Sequence, residues 1–274
     1  ALDIIGAEFV REIEPGELVV ISQGSFETLK PFPDVKARPC LFEYVYFSRP
    51  DSIVGGKSVY EVRKKMGIQL ARECPADVDV VIPVPDSGTP AALGYASEID
   101  RPFEFGISRS HYVGRSFIEP TQKLREMRVK RKHNINEPVV ENKRIVLVDD
   151  SIVRGTTSLQ IVQMMRDAGA REVHLRVSCP PIRYPCFYGI DTPDQEELFA
   201  AKYQNVQEMS DRIGTDSLAY LSLDGLYIAM GEDFRDPVSP QYTDHGFTGE
   251  YPTELQDQKK ESDQQQLSFL SETV

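Results

Sequence analysis

Residues 143–158 read KRIVLVDDSIVRGTTS, and this stretch restricts the chain more than any other. An apolar run, Ile145 to Val148, drives straight into two adjacent carboxylates, Asp149 and Asp150. Gly155, Thr156, Thr157 and Ser158 come shortly after, and then a helical pattern. A continuous apolar run of this kind predicts a strand buried on both faces. It ends in a pair of acceptors and a tight turn at a helix start. Two neighbouring carboxylates can hold the vicinal hydroxyls of a ribose, or a Mg²⁺ bridged to them. A Gly/Thr/Thr/Ser turn offers backbone N–H groups, hydroxyls and the positive end of a helix dipole to a phosphate. Ribose carrying a 5′-phosphate satisfies both halves.

The surrounding pattern predicts an α/β fold, a parallel sheet with flanking helices. From about residue 55 the spacing predicts a helix over 58–72, a strand over 77–84, a helix over 89–99 and a short strand over 103–107. After a long polar segment, 108–142, come the strand ending at Asp149, a helix over 158–168 and a strand over 172–177. Leu159, Val162 and Met165 recur at helical spacing, and Gly169 stands where a left-handed cap belongs. Ligands in such sheets lie beyond the carboxyl ends of the strands. Asp149 and Asp150 fall at one such end. The turn Pro85-Asp86-Ser87-Gly88 falls at another, where Ser87 and exposed N–H groups could meet a pyrophosphate or a metal. Such a turn is ordinary punctuation alone; beside the Asp149–Ser158 loop it would bracket a sugar phosphate from the other side.

Residues 1–50 differ from the rest of the chain: short alternating runs (AEFVREI, GELVVIS, LFEYVYF) separated by Pro15-Gly16 and a Pro-rich 31–39 segment predict strands. Residues 231–274 hold ten acids against three bases, and QDQKKESDQQQ at 256–266 has the composition of a flexible or solvent-facing tail. The expected organisation is therefore 1–50, 51–235 and 236–274. The 274 residues suffice for one large or two modest domains. The net charge of −12 argues against a generic nucleic-acid binder. No apolar run approaches the about 18 residues of a membrane span, and no basic-plus-apolar leader is visible. Four scattered cysteines, Cys40, Cys74, Cys179 and Cys186, make no disulfide framework, and a cytoplasmic location is expected. The exception to the acidic balance is KLREMRVKRKH at 123–133. It is either a solvated helix face or part of a basic lid over 108–133, which also carries Arg109, His111, Tyr112 and Arg115. The chain has no GxxxxGK[ST], GxGxxG, CxxC or HExxH, so a triphosphatase phosphate loop and a zinc site are not expected.

VLVDDSIVRGTTS resembles the phosphoribosylpyrophosphate (PRPP) motif of type I phosphoribosyltransferases. Together with YVGRSFIEP, EYVYFSRPDS and PPIRYPCFYGID, it resembles the glutamine phosphoribosylpyrophosphate amidotransferases over residues 1 to about 254. The resemblance implies the type I phosphoribosyltransferase fold, preceded in residues 1–50 by remnant strands of an N-terminal nucleophile glutaminase domain. It implies transfer of ammonia to C1 of PRPP, giving 5-phosphoribosylamine and pyrophosphate, the first committed step of purine synthesis. By the same resemblance, Asp149 and Asp150 hold the ribose hydroxyls and Mg²⁺, and Arg154, Gly155, Thr156, Thr157 and Ser158 hold the 5′-phosphate. Ser87 contributes to the metal and pyrophosphate site, with Gly88 beside it. Arg109, Tyr112 and Arg115 serve the closing loop, and Ile118 lies on the ammonia channel. Homo-oligomers and feedback inhibition by purine nucleotides are implied in the same way.

Three departures qualify this. The family's glutaminase uses an N-terminal cysteine, whereas this chain begins at Ala1, so the stretch as given is not expected to hydrolyse glutamine. Some members hold an iron–sulfur cluster on four cysteines; Cys40 and Cys186 match two, but the region 236–247 has none, so a cluster is not expected. His111 stands where a permanently basic residue is common, making its charge pH-dependent. The rival readings are a phosphoribosyltransferase acting on a purine or orotate base, against which YVGRSFIEP argues, and a PRPP-sensing module without turnover, for which no DNA-binding segment is visible.

Overall fold

The computed structural model describes residues 2–109 and 133–255. Its centre is a four-stranded, all-parallel sheet. The strands are β3 (Val80–Pro83), β6 (Arg144–Asp149), β7 (Glu172–Val177) and β8 (Ser217–Tyr220), in the order β8-β7-β6-β3. β6 lies between β3 and β7, with Val80 opposite Ile145 and Asp149 opposite Val177. Every residue of β3 is buried, as are Ile145 to Asp149, as a strand covered on both faces requires. An antiparallel hairpin, β1 (Leu18–Ser22) with β2 (Ser25–Leu29), precedes the sheet. A second short antiparallel pair, β4 (Ile107–Arg109) with β5 (His133–Ile135), stands beside it.

Among the described residues, five helices run seven residues or more: α1 (Val59–Glu73), α2 (Thr89–Ile99), α3 (Thr156–Asp167), α4 (Val206–Ile213) and α5 (Leu223–Ala229). α1 starts where the Ser58 hydroxyl accepts the Glu61 N–H at 3.4 Å. It buries Val59, Val62, Met66 and Leu70. α2 opens with Pro90 in its first turn, the position where a missing N–H costs nothing. α1 and α2 run alongside each other, tied at their far ends by the Tyr95 hydroxyl donating to the Cys74 carbonyl at 2.8 Å and by Arg72 with Glu98. α3 buries Ile161, Val162 and Met165.

The helices expected at 58–72 and 89–99 and the strand at 172–177 are found within a residue. α3 begins two residues earlier than predicted, which puts Thr156 and Thr157 in its first turn. Three expectations fail. The strand predicted over 103–107 is a single bridge from Phe103 to Val81; the ladder starts only at Ile107 and pairs antiparallel with β5. LFEYVYF, predicted as a strand, contains a turn of π helix at Glu43–Phe47, with Leu41, Tyr44 and Val45 buried. Its pattern is apolar throughout, and periodicity alone does not separate a buried strand from a buried helical turn. Residues 7–13 form no strand. Beyond residue 235 part of the described chain packs against the rest. The Tyr227 hydroxyl donates to the buried Asp244 at 2.9 Å, and Arg235 Nε donates to the same carboxylate at 2.6 Å. The segment 256–266 lies outside the described residues.

Candidate functional site

β6 delivers Asp149 to the carboxyl end of the sheet, and Asp150 follows it out of the strand. The Asp150 N–H donates to Asp149 Oδ1 at 2.9 Å, and the Ser151 hydroxyl donates to Asp150 Oδ1. Both acids are buried, at 7% and 5% exposure. Burial, and then the neighbouring Asp150 charge, push the Asp149 carboxyl well above the usual carboxylate range. Burial also raises Asp150, opposed by the Ser151 and Ser87 hydroxyls and by the Arg63 guanidinium. Two crowded carboxyls held up in this way have unmet demand for positive charge.

The second loop reaches the same place. β3 ends at Pro83, and the Val84 N–H continues the ladder to the Val148 carbonyl at 2.9 Å. The Pro85–Asp86 peptide is cis, and Ser87 faces Asp150. Gly88 then crosses the rim of β6 so closely that a Cβ there would lie 2.5 Å from the Val148 carbonyl oxygen and 3.3 Å from Asp149 Cα. Only a residue without a side chain lets the two loops meet here. Arg109, at the end of β4, forms an ion pair with Asp86 of this loop.

Past the acids, Ile152 is buried, Val153 accepts the Phe199 N–H at 2.7 Å, and Arg154 pairs with Glu197 at 3.0 Å. Gly155 adopts φ +76°, and a Cβ there would stand 2.4 Å from the Phe199 ring. α3 starts from this glycine. Thr156 and Thr157 are exposed, and Ser158 is buried. The first N–H groups of a helix have no intrahelical acceptor, so a turn of this kind can take an anion.

The structure thus brings Ser87, Gly88, Asp149, Asp150 and the start of α3 together at one end of the sheet. Arg154 is turned toward Glu197, and Arg109 toward Asp86. Tyr112, Arg115, Ile118 and His111 lie outside the described residues. Sequence reasoning missed three contributors. Phe199 braces Gly155 from 44 positions further on, which no local pattern announces. Cys179, fully buried, has its thiol pushed up by burial and then by Asp150 and Asp149, which places it behind the acids. Arg63 is buried on α1. Its signal was an arginine standing on the apolar stripe of Val59, Val62, Met66 and Leu70.

The donors around the acids suit a hard cation. Two carboxylates and a hydroxyl are the oxygen set that Mg²⁺ accepts when phosphates and waters complete its shell. Among the described residues, no group of three or more His, Cys, Asp or Glu is arranged to hold a metal by itself. Cys40 and Cys186 line one small cavity, with Thr192, Thr243, Asp244 and His245 among its polar neighbours. Two thiols do not make the four-thiolate set of an iron–sulfur cluster. All four cysteines are free. No described helix is long and apolar enough to cross a membrane.

Residues 55–210 match the family described as the phosphoribosyl transferase domain. The chain is 59% identical over 276 residues to the amidophosphoribosyltransferase of Rhizobium etli, covering 99% of this chain and 56% of that protein. To the Bacillus subtilis amidophosphoribosyltransferase it is 47% identical, covering 93% of this chain and 53% of that one. The solved glutamine PRPP amidotransferase from B. subtilis, complexed with ADP and GMP, superposes with a TM-score of 0.83 at 47% identity over 92% of this chain and 55% of its own. The chain spans about half the length of the curated relatives it matches.

Proposed function

The chain belongs to the phosphoribosyl transferase domain family, and on that premise we propose that it carries the phosphoribosyl-transfer chemistry of an amidophosphoribosyltransferase. In this reading ammonia attacks C1 of PRPP, pyrophosphate leaves, and 5-phosphoribosylamine forms, the opening step of purine synthesis. The observation that supports it most is the meeting of two loops at Gly88: the acid pair and Ser87 share one rim of the sheet with the start of α3. A ribose set there has its hydroxyls at Asp149 and Asp150, its 5′-phosphate at Gly155 to Ser158 and its pyrophosphate toward Ser87.

Departure of pyrophosphate builds positive charge on the ribose ring and negative charge on the leaving group. Asp149 and Asp150 hold the ring by its hydroxyls, a positioning effect that makes the attack effectively unimolecular. The N–H groups opening α3, with the hydroxyls of Thr156, Thr157 and Ser158, fix the far end of the substrate. Mg²⁺, held by Asp149, Asp150 and Ser87, would neutralise charge on the pyrophosphate when bound. Ammonia is itself a nucleophile, so the site needs no strong general base, only exclusion of water. That exclusion we assign to the segment 108–133, with Tyr112 and Arg115 at the reacting centre and Ile118 along the ammonia path. The unit expected at 51–235 we extend to about residues 40–249, supported by the Leu41 N–H donating to the Thr243 carbonyl and by Tyr227 donating to Asp244, and we leave residues 1–39 to a preceding glutaminase region. A homo-oligomer and feedback by purine nucleotides are part of the proposal; the ADP and GMP in the solved B. subtilis relative support the feedback.

Mixing the chain with PRPP, Mg²⁺ and ammonium chloride should release pyrophosphate, and free purine bases or orotate should not substitute for ammonia. Release with a base alone would move the assignment to another phosphoribosyltransferase. Binding of PRPP without release would make this a sensor.

A further inference from the structure

Phe199 lies against the Gly155 turn, and a single side chain from elsewhere holds Phe199 in place. Its ring stands 2.4 Å from where a Cβ on Gly155 would be, and it packs on the Tyr203 ring with centroids 4.9 Å apart. Its N–H donates to the Val153 carbonyl at 2.7 Å, and two residues earlier Glu197 pairs with Arg154 at 3.0 Å. Phe199 opens one turn of 3-10 helix, Phe199–Ala201, in which the Leu198 carbonyl accepts from Ala201 and the Phe199 carbonyl from Lys202. The last carbonyls of so short a turn find no donor inside it. Ala200 is fully buried, so its carbonyl needs a partner from outside the turn.

Arg183 supplies that partner. Its Nη1 donates to the Ala200 carbonyl at 2.5 Å and, more loosely, to the Tyr203 carbonyl at 3.5 Å. Ala200 follows Phe199 in the chain, and Tyr203 carries the ring on which Phe199 packs. A guanidinium at the carbonyl end of a helical turn is well placed in charge, and its planar fork fixes the angle of what it holds. Arg183 is itself anchored: its N–H donates to the Gly246 carbonyl at 2.9 Å, in the short helix His245–Thr248. We propose that Arg183 is a positioning residue for capture of the 5′-phosphate: by holding the Ala200 and Tyr203 carbonyls it fixes the Phe199 ring and Glu197, and through them the bend at Gly155 from which α3 starts. This rests on the PRPP reading of the site. The pyrophosphate end belongs to a different loop, at Ser87 and Gly88, and none of the Arg183 hydrogen bonds runs to it. Arg183 therefore acts on one end of the substrate and not on the other.

The test is titration calorimetry on the full chain with two partial ligands: ribose 5-phosphate, which carries the sugar and the 5′-phosphate, and magnesium pyrophosphate, which carries only the leaving group. Arg183→Met should weaken ribose 5-phosphate binding roughly 10-fold, the scale of losing hydrogen bonds from a charged group, and leave magnesium pyrophosphate binding unchanged. Arg183→Lys, which keeps a donor for one carbonyl but loses the fork, should recover part of the loss. In a Phe199→Leu background the Arg183→Met change should cost much less, because the ring it served is gone. If Arg183→Met does not fold, Arg183→Gln, which still donates to one carbonyl, takes its place. Equal weakening of both ligands would make Arg183 a general support of the fold, and wild-type affinity for ribose 5-phosphate in a folded Arg183 variant would detach it from the site; either result overturns the proposal. A wild-type chain that binds neither ribose 5-phosphate nor PRPP would overturn the substrate reading first, and the two failures are therefore distinguishable.

Discussion

Gly88 and Val148 approach so closely that a single methyl group on the glycine would lie 2.5 Å from the valine carbonyl oxygen. That contact joins the two loops of the site through backbone on both sides, and neither can swing away as a side chain would. Gly88→Ala should therefore force the loops apart. Overpacking of this kind costs about 1–3 kcal/mol, so the melting temperature should fall. PRPP affinity should fall further than the melting shift explains, because Ser87 leaves Asp150. Calorimetric titration of the folded variant checks this; unchanged affinity would show that loop spacing is not critical.

Asp150→Asn should lower ammonia-dependent release of pyrophosphate from PRPP by about 10²-fold or more, the usual scale for removing a positioned charge. The measurement is initial rate at saturating ammonia. Turnover that survives undiminished would remove Asp150 from the reaction.

At Gly155 the strain has two sources, a left-handed backbone and the Phe199 ring 2.4 Å from any added Cβ. A non-glycine residue in this conformation costs about 1–2 kcal/mol before any clash. Gly155→Ala should thus destabilise the chain beyond that figure. Combining it with Phe199→Leu should recover part of the loss, as two residues in contact are not additive. Denaturant melts of the single and double variants read this directly.

The opposite end of the sheet supplies a pH dependence. Asp79 accepts from Arg144 Nη2 at 2.9 Å and from the Arg144 backbone N–H at 2.8 Å. These bonds hold its carboxyl down to about 2, against an ordinary 3.8. A lowered carboxyl stabilises the fold above the ordinary value and loses that contribution as pH falls toward about 2. Asp79→Asn should accordingly be less stable than wild type at neutral pH, with the gap narrowing between about pH 4 and about 2. Parallel melting curves across that interval would test it; a constant gap would show that the effect is not ionic.

The central sheet was readable because β3 and β6 are buried on both faces and show themselves as apolar runs, while β7, EVHLRV, alternates polar and apolar residues as a strand does. Their crossovers carry caps and turn residues that announce themselves locally. The acid pair and the Gly155 turn were visible for the same reason: strand end, acceptors and helix start are contiguous in the chain. What could not be read depended on distant partners. LFEYVYF carries no period that separates strand from helix, and the Tyr44 and Ser48 carbonyls at its turn accept from Arg63, a residue on another helix. Phe103 reads as strand-forming, yet only one bridge to Val81 forms before the chain turns to pair with β5. Phe199 and Glu197 reach the site from beyond β7, and nothing in their own neighbourhood marks them.

The Phe199 brace bears on how portable the motif is. Residues 149–158 look like a self-contained cassette, but the bend at Gly155 is shaped by an aromatic ring, an N–H to Val153 and a carboxylate to Arg154 that all come from 197–199. Grafted alone onto another parallel sheet, the cassette would arrive without its scaffold. A change in the stretch around Phe199 would alter the bend at Gly155 while leaving every residue of the cassette untouched.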